Sequence, residues 1–162
     1  MRVIAGTFRS RILNEVESNN TRSTKDRVKE QIFNSVGPYF NGLSVLDLFS
    51  GSGSLGIEAI SRGVDKCVFV DNDRLAIKVI TDNILKLKIQ DQSDIIQSLY
   101  GDYINNTNEE FDLIFLDPPY SLEELDLIIS IISKRKLLKK DGRIVCLYSK
   151  NTSIKEKNND II

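Results

Sequence analysis

Leu43-Ser44-Val45-Leu46-Asp47-Leu48-Phe49-Ser50-Gly51-Ser52-Gly53-Ser54-Leu55-Gly56 is the stretch that decides the fold. Residues 43–48 form a short apolar run of strand length. A serine–glycine turn follows, and residues 55–62 predict a helix that Gly63 stops. Gly51, Gly53 and Gly56 fit the spacing G-x-G-x-x-G between a strand and a helix. Glycines there let the chain turn tightly and bring its backbone close to a ligand.

The alternation continues toward the C-terminus. Residues 66–70 predict a second strand ending at Asp71, and 73–87 a helix with Leu75, Ile80, Ile84 and Leu87 inward. Residues 94–99 predict a third strand, and 111–117 a fourth that Pro118-Pro119 ends. Ser121 with Glu124 three positions on is a capping box, opening a helix with the apolar stripe Leu122, Leu125, Ile128, Ile129 and Ile132. Asp141-Gly142 turns the chain into a fifth strand over 143–148. Toward the N-terminus, residues 2–5 and 11–14 suit a hairpin around Gly6. Residues 24–36 suit a helix capped by Thr24, with Val28, Ile32, Phe33 and Val36 on one face. Strands alternating with helices imply right-handed crossovers and an α/β fold, a mainly parallel sheet with helices on both faces. Ligands in such a sheet sit beyond the C-terminal strand ends, near the switch point. The reading is one domain over 1–162: hairpin and helix in 1–40, core in 41–150, polar tail in 151–162.

With 162 residues, 41% hydrophobic and 28% charged, the chain suits one folded core rather than disorder. No apolar run approaches the length of a membrane span, and the first residues lack the apolar region of a secretory signal, so the expectation is a cytoplasmic protein. The chain has no histidine. That excludes Ser-His-Asp and Cys-His catalysis and imidazole metal sites, and no metal is expected. Cys67 and Cys146 lie in apolar strand-like segments and read as buried thiols. Net charge is −1, but residues 1–30 hold seven basic side chains against four acidic ones. Arg2, Arg9, Arg11, Arg22 and Arg27 are either a solvated face or a patch that tracks phosphates.

The strand ends carry the chemistry. A carboxylate at Asp71 can accept both hydroxyls of a ribose. With the glycine turn it predicts a nucleoside-containing cofactor, held by Phe49, Ser50, Gly51, Ser52, Gly53, Asp71 and Asn72. Asp47 would repel a pyrophosphate and favour a cation, which tilts the choice from a nicotinamide dinucleotide toward S-adenosylmethionine. After the third strand, Asp102 is either an adenine acceptor or a loop turn, and Tyr103 or Ile104 can pack on a ring. The fourth strand ends in Asp117-Pro118-Pro119-Tyr120. Proline stiffens this loop and leaves its carbonyls free, so Asp117 and the Pro118 carbonyl can hold two N–H groups of one planar amine. Tyr120 offers a ring for a base to stack on.

Asp47 to Gly53, Asp71-Asn72-Asp73 and Asp117 to Tyr120 resemble the motifs of S-adenosylmethionine-dependent amino-methyltransferases. Met1 to Gly6, Thr21 to Glu30 and Ser61-Arg62-Gly63 are similar to the bacterial 16S rRNA guanine-N2 methyltransferases. The resemblance implies that Asp47, Gly51 and Gly53 line the methionine half of the cofactor, with Thr24 and Arg27 nearby. It implies Asp71 on the ribose, Asp102 on the adenine and Asp117, Pro118 and Tyr120 around a flipped guanine. The arginines of the first thirty residues would touch phosphates of 16S rRNA or of a small-subunit assembly intermediate, and the expected state is a monomer.

Three features depart from that family: Ser23 stands where proline is usual, Tyr148-Ser149-Lys150 follows the fifth strand where an acidic residue is usual, and nothing from Asn151 onward alternates like the usual last strand pair. The expectation is a shortened sheet with an exposed edge, or an incomplete sequence. Other readings are an amino-methyltransferase for a DNA base or a protein glutamine, a non-catalytic RNA-binding module, and a nicotinamide dehydrogenase.

Overall fold

A computed structural model describes residues 1–16, 26–117 and 122–147. Its sheet holds five parallel strands in the order β3-β2-β1-β4-β5. They are β1 (Ser44–Asp47), β2 (Lys66–Asp71), β3 (Ser93–Gln97), β4 (Phe111–Leu116) and β5 (Leu138–Cys146). Five helices connect or precede them: α1 (Asp26–Val36), α2 (Ser54–Ser61), α3 (Arg74–Leu87), α4 (Tyr100–Asn106) and α5 (Leu122–Lys134). The chain winds outward from β1 to β3 and then returns to the other side of β1 for β4. The switch point therefore lies between β1 and β4.

Strand residues alternate between two cores. Val45, Cys67, Phe69, Leu113 and Phe115 face α2, α3 and the N-terminal segment. Leu46, Val68, Val70, Ile114 and Leu116 face α5 and the buried side of α4. Helices cover both faces, so these strands read as unbroken apolar runs.

Several boundaries and faces differ from expectation. The hairpin reduces to one antiparallel bridge, Arg2 with Ile12, flanked by the Val3–Arg11 and Leu13–Met1 hydrogen bonds. Leu75 is exposed on α3, while Ala76 and Asn83 are buried there. The reason is the helical period: Ala76, Ile80, Asn83, Ile84 and Leu87 share one face, and Leu75, five residues before Ile80, points away from it. On α1, Val28 is partly exposed and Lys29 is buried beside Phe33 and Val36. β5 begins at Leu138, not 143: a register shift opposite Phe111–Leu113 absorbs Asp141-Gly142 within the strand. Residues 148–162, including the predicted end of β5 and the tail, lie outside the described residues, as does Ser121.

Candidate active site

Asp47 closes β1, with 2% of its surface exposed. Its Oδ2 accepts the Gly56 N–H at 3.1 Å, so the first strand grips the helix that follows it. Burial pushes the Asp47 carboxyl up to about 7. The Gly56 N–H opposes this, and the neighbouring charges of Asp117 and Asp71 add to it. A cation arriving here would favour the ionised form.

The loop between Asp47 and α2 is stitched to β2. Ser50 donates to the Val70 carbonyl from both its N–H and its hydroxyl, and Gly53 N–H donates to the Ser50 carbonyl. Gly53 is left-handed, with φ 85°, and a Cβ there would lie 2.5 Å from Ile80. A Cβ on Gly56 would lie 2.3 Å from the Phe69 ring, so helix and strand pack at backbone distance. The turn needs one glycine for its angle and another for close packing.

Asp71 closes β2. Its Oδ2 accepts the Gly51 N–H at 2.9 Å and its Oδ1 the Asp73 N–H at 2.8 Å. A carboxylate has about four lone-pair sites, so each oxygen keeps capacity for a hydroxyl. Asp71 lines a cleft with Leu48, Phe49, Asn72, Ser98, Leu99 and Tyr100. The Phe49 and Tyr100 rings meet at 5.3 Å, tilted by 47°. A carboxylate beside an apolar and aromatic wall suits a nucleoside: a diol at one end, a flat heterocycle at the other.

The sequence offered Tyr103 or Ile104 to pack on the adenine ring. The structure turns Tyr103 and Ile104 into the core, where burial raises the Tyr103 phenol and Thr107 lies at its hydroxyl. Residues 100–106 form a helix whose first residue, Tyr100, stays partly exposed at the cleft while Tyr103, one turn on, is buried. Asp102 is exposed in its first turn, a position that suits an acid on helix-dipole grounds alone. An aromatic immediately after the third strand was the signal for Tyr100.

Across the switch point, Phe115 pairs with Asp47, and Asp117 follows two residues later. Asp117 is partly buried, near enough for its charge to raise the Asp47 carboxyl. The three carboxylates therefore gather over the strand ends. Pro118, Pro119, Tyr120, Thr24 and Arg22 lie outside the described residues.

Of the predicted phosphate-tracking arginines, Arg9, Arg11 and Arg27 are exposed. Arg2 pairs with Asp26 at 3.5 Å on the surface, and Arg11 donates to the Lys86 carbonyl at 3.4 Å. Behind them lies a buried network that the sequence reading missed. Glu58 on α2 accepts the N–H groups of Ile4 and Ala5 and pairs with Arg62 at 2.7 Å and Lys29 at 3.4 Å. Desolvation lowers the Lys29 ammonium, while Glu58 raises it. An acid in the apolar run Leu55–Ile60, four residues before an arginine, was the available signal. Cys67 and Cys146 are buried free thiols. No group of residues suited to a metal ion occurs among the described residues, and no described helix is long and apolar enough to cross a membrane.

The family described as conserved hypothetical protein 95 matches residues 1–162. The chain belongs to that family. YlbH of Bacillus subtilis is 40% identical over 167 residues, spanning all of this chain and 90% of its own. The Haemophilus influenzae protein named ribosomal RNA small subunit methyltransferase D is 34% identical over 174 residues, again with all of this chain and 90% of its own. The solved structure of yhhF from Escherichia coli superimposes with a TM-score of 0.78 at 28% identity, over 86% of this chain and 75% of that one. The family member is a methyltransferase with the Rossmann-like fold of S-adenosylmethionine-dependent enzymes.

Proposed function

We propose that this chain transfers the methyl group of S-adenosylmethionine to the exocyclic N2 amine of a guanine in 16S rRNA. The observation that carries the reading is the gathering of Asp71, Asp47 and Asp117 at three strand ends around the switch point. The donor set fits the cofactor: Asp71 offers free lone pairs to a ribose, Phe49, Leu99 and Tyr100 offer an apolar wall to adenine, and buried Asp47 favours a cationic neighbour. When bound, S-adenosylmethionine supplies an electrophilic methyl group on a sulfonium.

The chain's own work is binding and orientation. Asp117 accepts a hydrogen bond from one N–H of the guanine amine and the Pro118 carbonyl accepts one from the other; as N2 takes the methyl group from the sulfonium, leaving a neutral thioether, the amine gives up one proton to solvent. Two acceptors free the amine lone pair from the ring, and holding it in line supplies most of the acceleration. Tyr120 stacks on the extruded base; extrusion costs a few kcal/mol, least for an unpaired nucleotide. The exposed Arg9, Arg11 and Arg27 favour a nucleic-acid substrate over a protein glutamine.

The test is transfer of label from S-adenosylmethionine to small ribosomal subunits from cells lacking this protein, to naked 16S rRNA, to DNA and to protein. N2-methylguanosine in digested 16S rRNA is expected, and its loss in Asp117→Ala with cofactor affinity intact. Label in DNA or protein alone overturns the substrate assignment.

A further inference from the structure

Asn83 is fully buried on α3, a polar amide within the stripe Ala76, Ile80, Ile84 and Leu87. Asparagine is a poor helix former, and burying its amide is costly unless every polar atom is bonded. Here every one is. Oδ1 accepts the Asn14 N–H at 2.8 Å, while Nδ2 donates to the Asn14 carbonyl at 3.1 Å and to the Ser52 carbonyl at 3.0 Å. One side chain thus pairs with Asn14 as a neighbouring strand would, and spends its other N–H on the glycine turn.

Two further links run the same way. Lys29 Nζ donates to the Arg2 carbonyl at 2.6 Å and to Ser54 Oγ at 3.0 Å, and Met1 Sδ lies 3.7 Å from Ser52 Oγ. Ser52 and Ser54 flank Gly53, the left-handed residue of the turn. Both serines are therefore tied to the segment that carries Arg9 and Arg11 and runs on in sequence to Arg22.

We infer that Asn83, with Lys29, is a positioning residue that couples the cofactor turn to the N-terminal basic segment, so that a polyanion bound on the segment and cofactor bound at the turn strengthen each other. The inference rests on the proposed function, because it takes the turn as the cofactor's seat and the segment as the nucleic-acid contact. The segment docks through Val3 and Leu13 in the core, the Thr7–Ser61 backbone bond and these side-chain bonds, and Asn83 and Lys29 are where that docking reaches the turn. Whatever favours the docked segment fixes Ser52 and Ser54, and linkage makes the effect reciprocal.

The test is calorimetric titration of the full chain with S-adenosylhomocysteine, which cannot react, with and without saturating unmodified 16S rRNA. In the unaltered protein, RNA should tighten S-adenosylhomocysteine at least about fivefold, the lower end of common coupling factors. In Asn83→Ala each ligand should still bind and the coupling should fall to within about twofold of none. Loss of a merely structural residue would weaken binding without erasing the ratio. Asn14→Pro removes the N–H that Asn83 accepts, at an exposed residue where the proline ring meets solvent, and it should lose the coupling too even where Asn83→Ala does not fold. Independent binding in the unaltered protein, or coupling that survives in Asn14→Pro, overturns the inference while rRNA methylation stands. Absence of both cofactor binding and methylation overturns the proposed function and this inference together.

Discussion

Glu58 and Arg62, one turn apart on α2, form a 2.7 Å ion pair that solvent barely touches. Glu58 also faces Lys29 and the amides of Ile4 and Ala5, so one carboxylate pairs with two cations and anchors the start of the chain. Glu58→Ala strands both cations and should cost about 3–5 kcal/mol of stability. Urea unfolding reads the loss, and hydrogen exchange at Ile4 and Ala5 should accelerate with it. A cost under about 1 kcal/mol would place the network among pairs of little consequence.

Asp47 makes stability depend on pH with a definite sign. Its carboxyl is raised from 3.8 to about 7 by burial, so the folded state holds a proton that the unfolded state has released. The folded chain therefore loses stability as pH rises from about 4 through 7. Asp47→Asn should flatten that slope while abolishing tight cofactor binding. Cofactor binding to the unaltered protein near pH 7 should also release protons, seen as a binding heat that varies with the buffer's ionisation enthalpy. A heat independent of buffer would separate Asp47 from the cation.

Gly53→Ala forces a side chain into the left-handed region and against Ile80 at 2.5 Å. Strain and overpacking each cost about 1–3 kcal/mol. Chemical denaturation should show a loss of at least about 2 kcal/mol, with cofactor affinity falling alongside. A neutral substitution would mean the turn is not as described.

Tyr100 and Tyr103 separate the cleft from the core. Tyr100→Ala should weaken cofactor binding about tenfold, the effect of about 1.4 kcal/mol, and lower the melting temperature less than Tyr103→Ala does, because Tyr100 is only partly buried. Tyr103→Ala empties a core position and should cost about 3–5 kcal/mol, by analogy with other buried aromatics. Calorimetry should rank Tyr100→Ala as the greater loss of affinity, and thermal melts should rank Tyr103→Ala as the greater loss of stability. Matching patterns would contradict the partition.

The layout was legible wherever one strand's end and the next helix's start declared themselves. Asp47, Asp71 and Asp117 close or follow strands whose apolar runs are unmistakable, and the glycine turn fixed the first crossover. Misreadings came from local signals that tertiary packing overrode. Tyr103 and Ile104 were read as able to pack on a cofactor ring because they follow the third strand, whereas the chain is helical there and buries both side chains. Asp141-Gly142 looked like a break, but β5 tolerates it as an irregularity opposite Phe111–Leu113. Lys29 and Asn83 were invisible because polar residues on a helix are assigned to solvent by default. Their partners are more than twenty positions away, beyond the reach of any periodicity.

The sheet order also shapes how such a protein can change over generations. Every described residue lining the Asp71 cleft comes from one uninterrupted stretch, 48–100, whereas Asp117 arrives just past a strand translated afterwards. Asn108, Glu109 and Glu110, all solvent-facing, mark the seam. On the proposed function, recombination there would exchange the loop that holds the target amine and keep both the cleft and the basic segment, so a lineage could vary the reacting group it accepts without relearning how to grip its methyl source.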